Sequence, residues 1–341
     1  MTVPGPPPPT SVSVPGRPEP WLTGRRAVTG FVLVGVWGVV VASVLGRIGP
    51  AVAPFPFDLF SHYRLQYAGL LVIAVLVLVG VRHWRIGAAV AVLLAAHLVP
   101  LAPLVLPADQ PTGPGTPLRV VQFNVLYRSS AFDDAASWLV ETEADVIVVQ
   151  EVTPQWEAEL DDRLEGWTRL DTDTARIDSF GIAVYLRGGL EPSTVFVDNA
   201  DDLPAIGLTL PTGDDKVLIY AVHTLPPVSP DAMEIATEQV DTARRRVAEH
   251  PDAAIVIGDL NATRWSALLR PVLADGELRD SAEGHGLVGT WPSPLAVTGM
   301  IGIDHVLVTD EIRVDDRWVG PGLGSDHRPV VADLVITEPG G

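Results

Sequence analysis

The pattern of polar and apolar positions changes character near residue 107. Before that point three runs, Ala27–Leu45, Leu65–Val81 and Ile86–Pro107, contain no Asp, Glu, Lys or Arg and show no polar stripe. A helix needs about 20 residues to cross a hydrocarbon layer of ~30 Å. The three runs therefore predict transmembrane helices at 27–45, 65–81 and 86–107 rather than amphipathic core helices. After residue 117 short apolar runs alternate with amphipathic ones. LRVVQFNVL, DVIVVQEV, FGIAVYLR, AIGLTL, KVLIYAVHT, AAIVIGDLN, IDHVLVT and PVVADLVI read as strands, and the stretches near 133–143, 154–163, 230–249 and 265–275 read as helices. Ser229 or Asp231 can cap the 230–249 helix, and Pro230 suits its first turn. Several strands are apolar throughout, as in sheets covered on both faces. The expectation is an α/β sandwich of about 220 residues.

The flanks complete the organisation. The first 20 residues hold eight Pro and no periodicity, so residues 1–26 are expected to form a disordered Pro-rich tail. They lack the h-region and cleavage site of a secretory signal. Residues 108–117, ADQPTGPGTP, form a linker by composition, the folded domain runs over 118–337, and 338–341 is a short tail. Arg17, Arg25 and Arg26 precede the first span, and Arg82 and Arg85 crowd the turn between the second and third. The positive-inside rule then puts the N-terminus and that turn in the cytoplasm. With three crossings, the folded domain lies outside the cytoplasm on a multi-pass plasma-membrane protein.

Composition sharpens this picture at two points. The chain of 341 residues contains no Cys, which excludes a disulfide framework and Cys-ligated zinc or iron. Its net charge of −19 is unevenly spread: residues 1–105 hold seven Arg and two acidic residues, leaving 16 Lys and Arg against 40 Asp and Glu in the rest. A strongly acidic domain repels a polyanion, so nucleic acid is the less expected partner.

Polar residues interrupt or end six of the predicted strands: Asn124, Gln150 with Glu151, His223, Asp259 with Asn261, Asp304 with His305, and Asp326 with His327. Each alone fits turn or cap chemistry. Glu151 is harder to place that way, because it follows an apolar run and an ionised buried carboxylate needs a partner or a metal. Together, carboxylates and an amide oxygen without Cys describe a hard, oxygen-lined site suited to Mg²⁺ or Mn²⁺. Two His and further Asp supply a general base, its orienting partner and donors to a developing oxyanion. Hydrolysis of a phosphate ester by activated water fits these parts.

The succession QFNVL, VVQEV, AVHT, GDLNAT, IDHVLV and GSDHRPV resembles the endonuclease/exonuclease/phosphatase superfamily over Leu118–Ile336. The resemblance implies a four-layer sandwich of two mixed β-sheets with outer helices, here preceded by the three transmembrane helices. It implies one or two Mg²⁺ (or Mn²⁺) ions near Asn124, Glu151 and Asp326, with Glu151 the central ligand. His223 matches a contact to the scissile phosphate, Asp259 the residue that positions or activates water, and Asn261 a holder of a phosphate oxygen. Asp304 matches the carboxylate that orients His327, itself a general base or phosphate-polarising group; the choice between Asp259 and His327 as base stays open. The chain is similar to a membrane-anchored bacterial branch that includes proteins associated with teicoplanin resistance. Arg264, Trp265 and Trp291 are expected to hold an apolar phosphate substrate. The expected function is a membrane-anchored phosphoesterase acting on a lipid-linked or cell-envelope phosphate; the alternative is a tethered extracellular nuclease.

Overall fold

A computed structural model describes Met1 and residues 20–213, 215–250, 252–295 and 300–337. Residues 2–19 of the expected tail and the last four residues lie outside this range. Helix α1, Pro20–Ile48, takes in residues assigned above to the tail. A short helix α2, Pro54–Phe57, and a 3₁₀ turn, Asp58–Ser61, lead into α3, Arg64–Gly80. Helix α4, Trp84–Leu98, continues through a 3₁₀ turn into α5, Ala102–Val105. Two stretches, Gly24–Ala51 and Trp84–Val105, are long and apolar enough to cross a membrane. The pair formed by Pro54–Ser61 and α3 makes a third if its 54° bend is taken as one span. Phe31, Val34, Trp37, Leu76 and Val92 point outward and exposed, the distribution expected of lipid-facing helices. Inside, Ser43 Oγ meets His97 Nε2 at 2.8 Å and joins α1 to α4. At one end of the helices the Arg25 guanidinium donates to the Val81 carbonyl.

The remaining chain forms two six-stranded mixed sheets among the described residues. In chain order the strands are β1 Gly115–Asn124, β2 Val146–Gln150, β3 Trp167–Arg169, β4 Ile182–Arg187, β5 Thr194–Ala200 and β6 Leu203–Thr212. They continue with β7 Asp215–Val222, β8 Ala253–Asp259, β9 Arg279–Asp280, β10 Asp304–Val308, β11 Ile312–Val319 and β12 Val330–Thr337. The first sheet runs β11-β12-β1-β2-β4-β3 and the second β5-β6-β7-β8-β10-β9. Strand β1 starts at Gly115, paired with Thr337, so the expected linker ends three residues early. Four strands were not anticipated. Strands β3 and β9 are too short to show a period, β5 is half-exposed beside β6, and β11 is a charged edge strand with a register shift after Val314.

Helices α6, Phe132–Glu141, and α7, Pro154–Arg163, cover the first sheet; α8, Pro230–Glu249, and α9, Leu269–Ala274, cover the second. Local signals explain two of the starts. Thr153 Oγ1 accepts from Trp156 N–H and Ser229 Oγ from Ala232 N–H, each with Pro at the next position. Between the sheets Val120, Val148, Val184, Ile206, Ile219, Ile257, Val306 and Val330 interdigitate, all fully buried. Each such side chain contributes roughly 1.5–3 kcal/mol on burial. This inner layer fixes one sheet against the other and brings their strand ends to a common edge.

The segment between α1 and α3 is an elbow docked on the folded domain. Asp58 Oδ1 accepts from Ala267 N–H at 2.6 Å, and His62 Nδ1 accepts from Thr263 N–H at 3.2 Å. Gln66 donates to the Met300 carbonyl, and Gly284 and Gly286 donate to Pro103 and Leu104. The apolar helices and the domain thus share a hydrogen-bonded seam.

Candidate active site

Strand register delivers the polar residues. In the first sheet Asn124 pairs with Gln150, which places Glu151 just past the end of β2. In the second sheet Asp304 pairs with Asp259 across β10 and β8, and His223 follows the end of β7. Gly258 is required here. Its φ is +152°, and a Cβ would lie 1.8 Å from the Val222 carbonyl oxygen.

Asn124 joins the two sheets. Its Nδ2 donates to Glu151 Oε1 at 3.1 Å and to Asp259 Oδ2 at 3.0 Å, while its Oδ1 accepts from Leu126 N–H. In this orientation Asn124 is a strut between carboxylates; the cation-ligand role expected of it needs the amide turned over. Glu151 adopts φ +60° and accepts from Tyr127 N–H at 2.9 Å. Burial raises the Glu151 carboxyl above its ordinary range, the nearby Asp326 charge adds to that, and the Tyr127 and Asn124 donors oppose it. Asp326 Oδ2 accepts from Trp291 Nε1 at 3.2 Å, and its buried Oδ1 has no partner among the described residues. Two converging carboxylates with an orphaned oxygen fit a hard divalent cation, which would relieve both the repulsion and the desolvation.

Deeper in the site, His327 Nδ1 lies 3.0 Å from Asp304 Oδ2, and its Nε2 lies 3.6 Å from Asp259 Oδ2. Burial alone would lower the His327 pKa, but the two carboxylates more than reverse this and raise it to about 10. The same pairing holds Asp304 below the usual carboxylate range despite its burial. Gln122 Nε2 donates to Asp304 Oδ1 at 2.7 Å and to Gln150 Oε1 at 2.8 Å. Ser325 Oγ donates to the Asn124 carbonyl and accepts from His327 N–H, tying the last motif to the first. Asp259 is raised by burial, against the pull of the charged His327. His223 Nε2 sits 3.5 Å from Asp259, and its buried Nδ1 has no partner among the described residues. Burial pushes the His223 pKa down, toward the neutral form. Asn261, at φ +48°, donates its backbone N–H to Asp259 and its side chain to the Thr224 carbonyl. Ligand atoms of Asp259, Asp304 and His327 also lie within 4.8 Å of one another. With His327 and Asp304 already matched as an ion pair, this trio is better suited to holding a proton than a metal.

Glu151, His223, Asp259, Asn261, Asp326 and His327 line one cavity of about 430 Å³, and Trp291 joins them at its wall. Two expected residues are elsewhere. Arg264 is committed to Asp280 at 3.3 Å and to Glu283, and Trp265 donates to the Pro100 carbonyl in the helix seam. Both border a separate cavity of about 50 Å³ behind Asp304. Their nearness in sequence to Asn261 is undone by the turn after β8, which carries them around the back of the site. Gln122, Ser325 and the elbow residues Leu59, His62 and Tyr63 were not anticipated. Gln122 alternates into the inner layer of β1, a position where an amide among Val and Phe was the available signal.

A model of the endonuclease/exonuclease/phosphatase family matches residues 121–327. The chain belongs to that family. It is thereby a metal-dependent phosphoric ester hydrolase, of a family that generally depends on a divalent metal. No curated protein sequence matches the chain. Among solved structures, an endonuclease/exonuclease/phosphatase from Bacteroides vulgatus is 17% identical, with a TM-score of 0.53, over 65% of this chain and 99% of that one. A mannosyl-6-phosphatase from Bacteroides thetaiotaomicron is 17% identical with a TM-score of 0.54, over 64% and 99%. The D. rerio TDP2 complexed with single-strand DNA product is 15% identical with a TM-score of 0.52, over 64% and 98%. These similarities establish a shared fold.

Proposed function

We propose that this protein is a membrane-anchored phosphoesterase that hydrolyses a lipid-linked phosphate outside the cytoplasm. The carrying observation is the make-up of the cavity. Its lining combines a polar set, Glu151, His223, Asp259, Asn261, Asp326 and His327, with an apolar set, Phe180, Pro226, Pro227, Val228, Ile301 and Ile303. A phosphate against the polar set with a hydrocarbon against the apolar one satisfies both parts. The acidic domain, with Lys216 as its one lysine, lacks the cationic rows that grip a nucleic-acid backbone.

Glu151 and Asp326 would hold a divalent cation, which would supply charge neutralisation for the phosphate and acidify a water molecule. His327, kept charged by Asp304, donates through Nε2 to a phosphate oxygen. Asp259 lies between His223 and His327 and orients the attacking water as acceptor. His223 and Asn261 steady the remaining phosphate oxygens. The outward orientation rests on the Arg residues gathered at the opposite end of the helices, Arg25 with the 82–85 turn. An odd number of crossings puts the elbow and the domain on one side, in keeping with their shared seam.

The test is phosphate-ester hydrolysis by the full chain in nanodiscs, with Mg²⁺ or EDTA, on isoprenyl phosphate and pyrophosphate lipids and on plasmid DNA in parallel. EDTA-sensitive release of phosphate from lipid is the expected result. Cleavage of DNA alone would replace this reading with that of a tethered nuclease.

A further inference from the structure

The cavity is not built by the family domain alone. Leu59, His62 and Tyr63, from the elbow between the first two apolar helices, line the same space as Glu151, Asp259 and His327. Their placement is fixed. Asp58 is 2% exposed and is held by Ala267 N–H, and the buried His62 is held by the backbone and hydroxyl of Thr263. Both anchor points lie on the loop that leaves Asp259. Leu59 and Tyr63 are partly exposed, at 37% and 43%, so they form a wall with one side open. On that side the chain continues directly into α3, whose Leu70, Ile73 and Leu76 point outward.

From this we infer that the elbow is the specificity element of the active site, with Leu59 and Tyr63 seating the hydrocarbon chain of an amphipathic phosphate ester. The inference rests on the lipid-phosphate reading above and adds the residues that enforce it. A phosphate bound at Glu151 and His327 leaves its ester chain facing two walls. One comes from the domain, with Phe180, Val228 and Ile301, and the other from the elbow. The second wall leads along α3 toward the lipid layer, so a long chain remains in apolar surroundings along its whole length. A short or charged alcohol group gains nothing from that wall. Each methylene moved from water into such a groove adds to binding, which makes chain length the natural readout. Leu59 and Tyr63 act on binding of the chain, and the reacting groups remain those of the domain.

The experiment uses full-length protein in nanodiscs and a series of alkyl p-nitrophenyl phosphodiesters from methyl to dodecyl, each with kcat and KM resolved. In the wild type kcat/KM rises with chain length. Leu59→Ala and Tyr63→Ala flatten that rise, with about a tenfold loss at dodecyl carried by KM, and Tyr63→Phe restores it. A retained slope in both alanine variants overturns the inference and leaves the lipid-phosphate reading standing. An equal fall in kcat at every chain length also overturns it, since the elbow is then only a brace. A wild type indifferent to chain length removes the lipid-phosphate reading itself, and this inference with it.

Discussion

His327 Nδ1 stands 3.0 Å from Asp304 Oδ2, and its other ring nitrogen faces Asp259 at 3.6 Å. A single imidazole is thus held between two carboxylates from the second sheet, while its own backbone leads into the first. Removing the Asp304 charge while keeping its shape isolates what that pairing contributes. Asp304→Asn is expected to lower kcat/KM by on the order of 10²–10⁴-fold with little change in KM. Steady-state kinetics on any cleaved phosphate ester check this, and an unchanged kcat would remove Asp304 from the mechanism.

The same pair makes stability depend on pH. The folded-state pKa of His327 is raised to about 10, against ~6.5 for the unfolded chain. Its contribution is therefore complete below about pH 6.5 and is lost as pH rises through the folded value. The difference in thermal midpoint between wild type and His327→Gln, in EDTA, should be constant at pH 6 and shrink steadily toward pH 10. A difference that grows with pH would contradict the charged assignment.

Glu151 and Asp326 line the same cavity, and Glu151 is raised by burial first and by the Asp326 charge second. Protons and a divalent cation then compete for the same oxygens. Activity should fall in acid at a pH above the ordinary carboxylate range, and raising Mg²⁺ should move that limb to lower pH. Glu151→Gln should abolish the Mg²⁺ dependence of the limb together with most of the activity. Titration of rate against pH at several Mg²⁺ concentrations decides the point.

Gly258 precedes Asp259 in a conformation closed to other residues, with no space for a Cβ beside Val222. Gly258→Ala combines backbone strain with a backbone clash, at a cost of about 3 kcal/mol or more. Denaturant unfolding of the full chain should register that loss, and a near-neutral result would mean that β7 and β8 can part locally.

Much of this molecule was legible in its sequence, and the reasons differ from part to part. The three apolar runs declare themselves because they carry no charge over some twenty residues, and the strands around Val148, Ile219 and Ile257 because burial on both faces leaves no polar option. The cluster of Glu151, His223, Asp259, Asn261, Asp326 and His327 was legible because each interrupts or closes such a run. Arg264 and Trp265 misled because neighbours in sequence share a site only if the chain stays straight, and here it turns behind Asp304. The elbow was illegible for another reason. Leu59, His62 and Tyr63 look like any interfacial loop, and their placement comes from the contacts of His62 with Thr263 and of Asp58 with Ala267, some two hundred positions away.

The inner layer of the sandwich also has a metrical role. Glu151 and His327 hang from the first sheet and Asp259 and Asp304 from the second, so the gap between carboxylates and imidazole depends on the thickness of the apolar filling. Protein interiors are packed as densely as organic crystals and barely compress. Val148, Val184, Ile219 and Ile257 thereby work as a spacer gauge, cut to a fixed width. A thinner filling, as in Val148→Ala, should slow turnover well before it endangers folding, because the machining tolerance of proton transfer is finer than that of the fold.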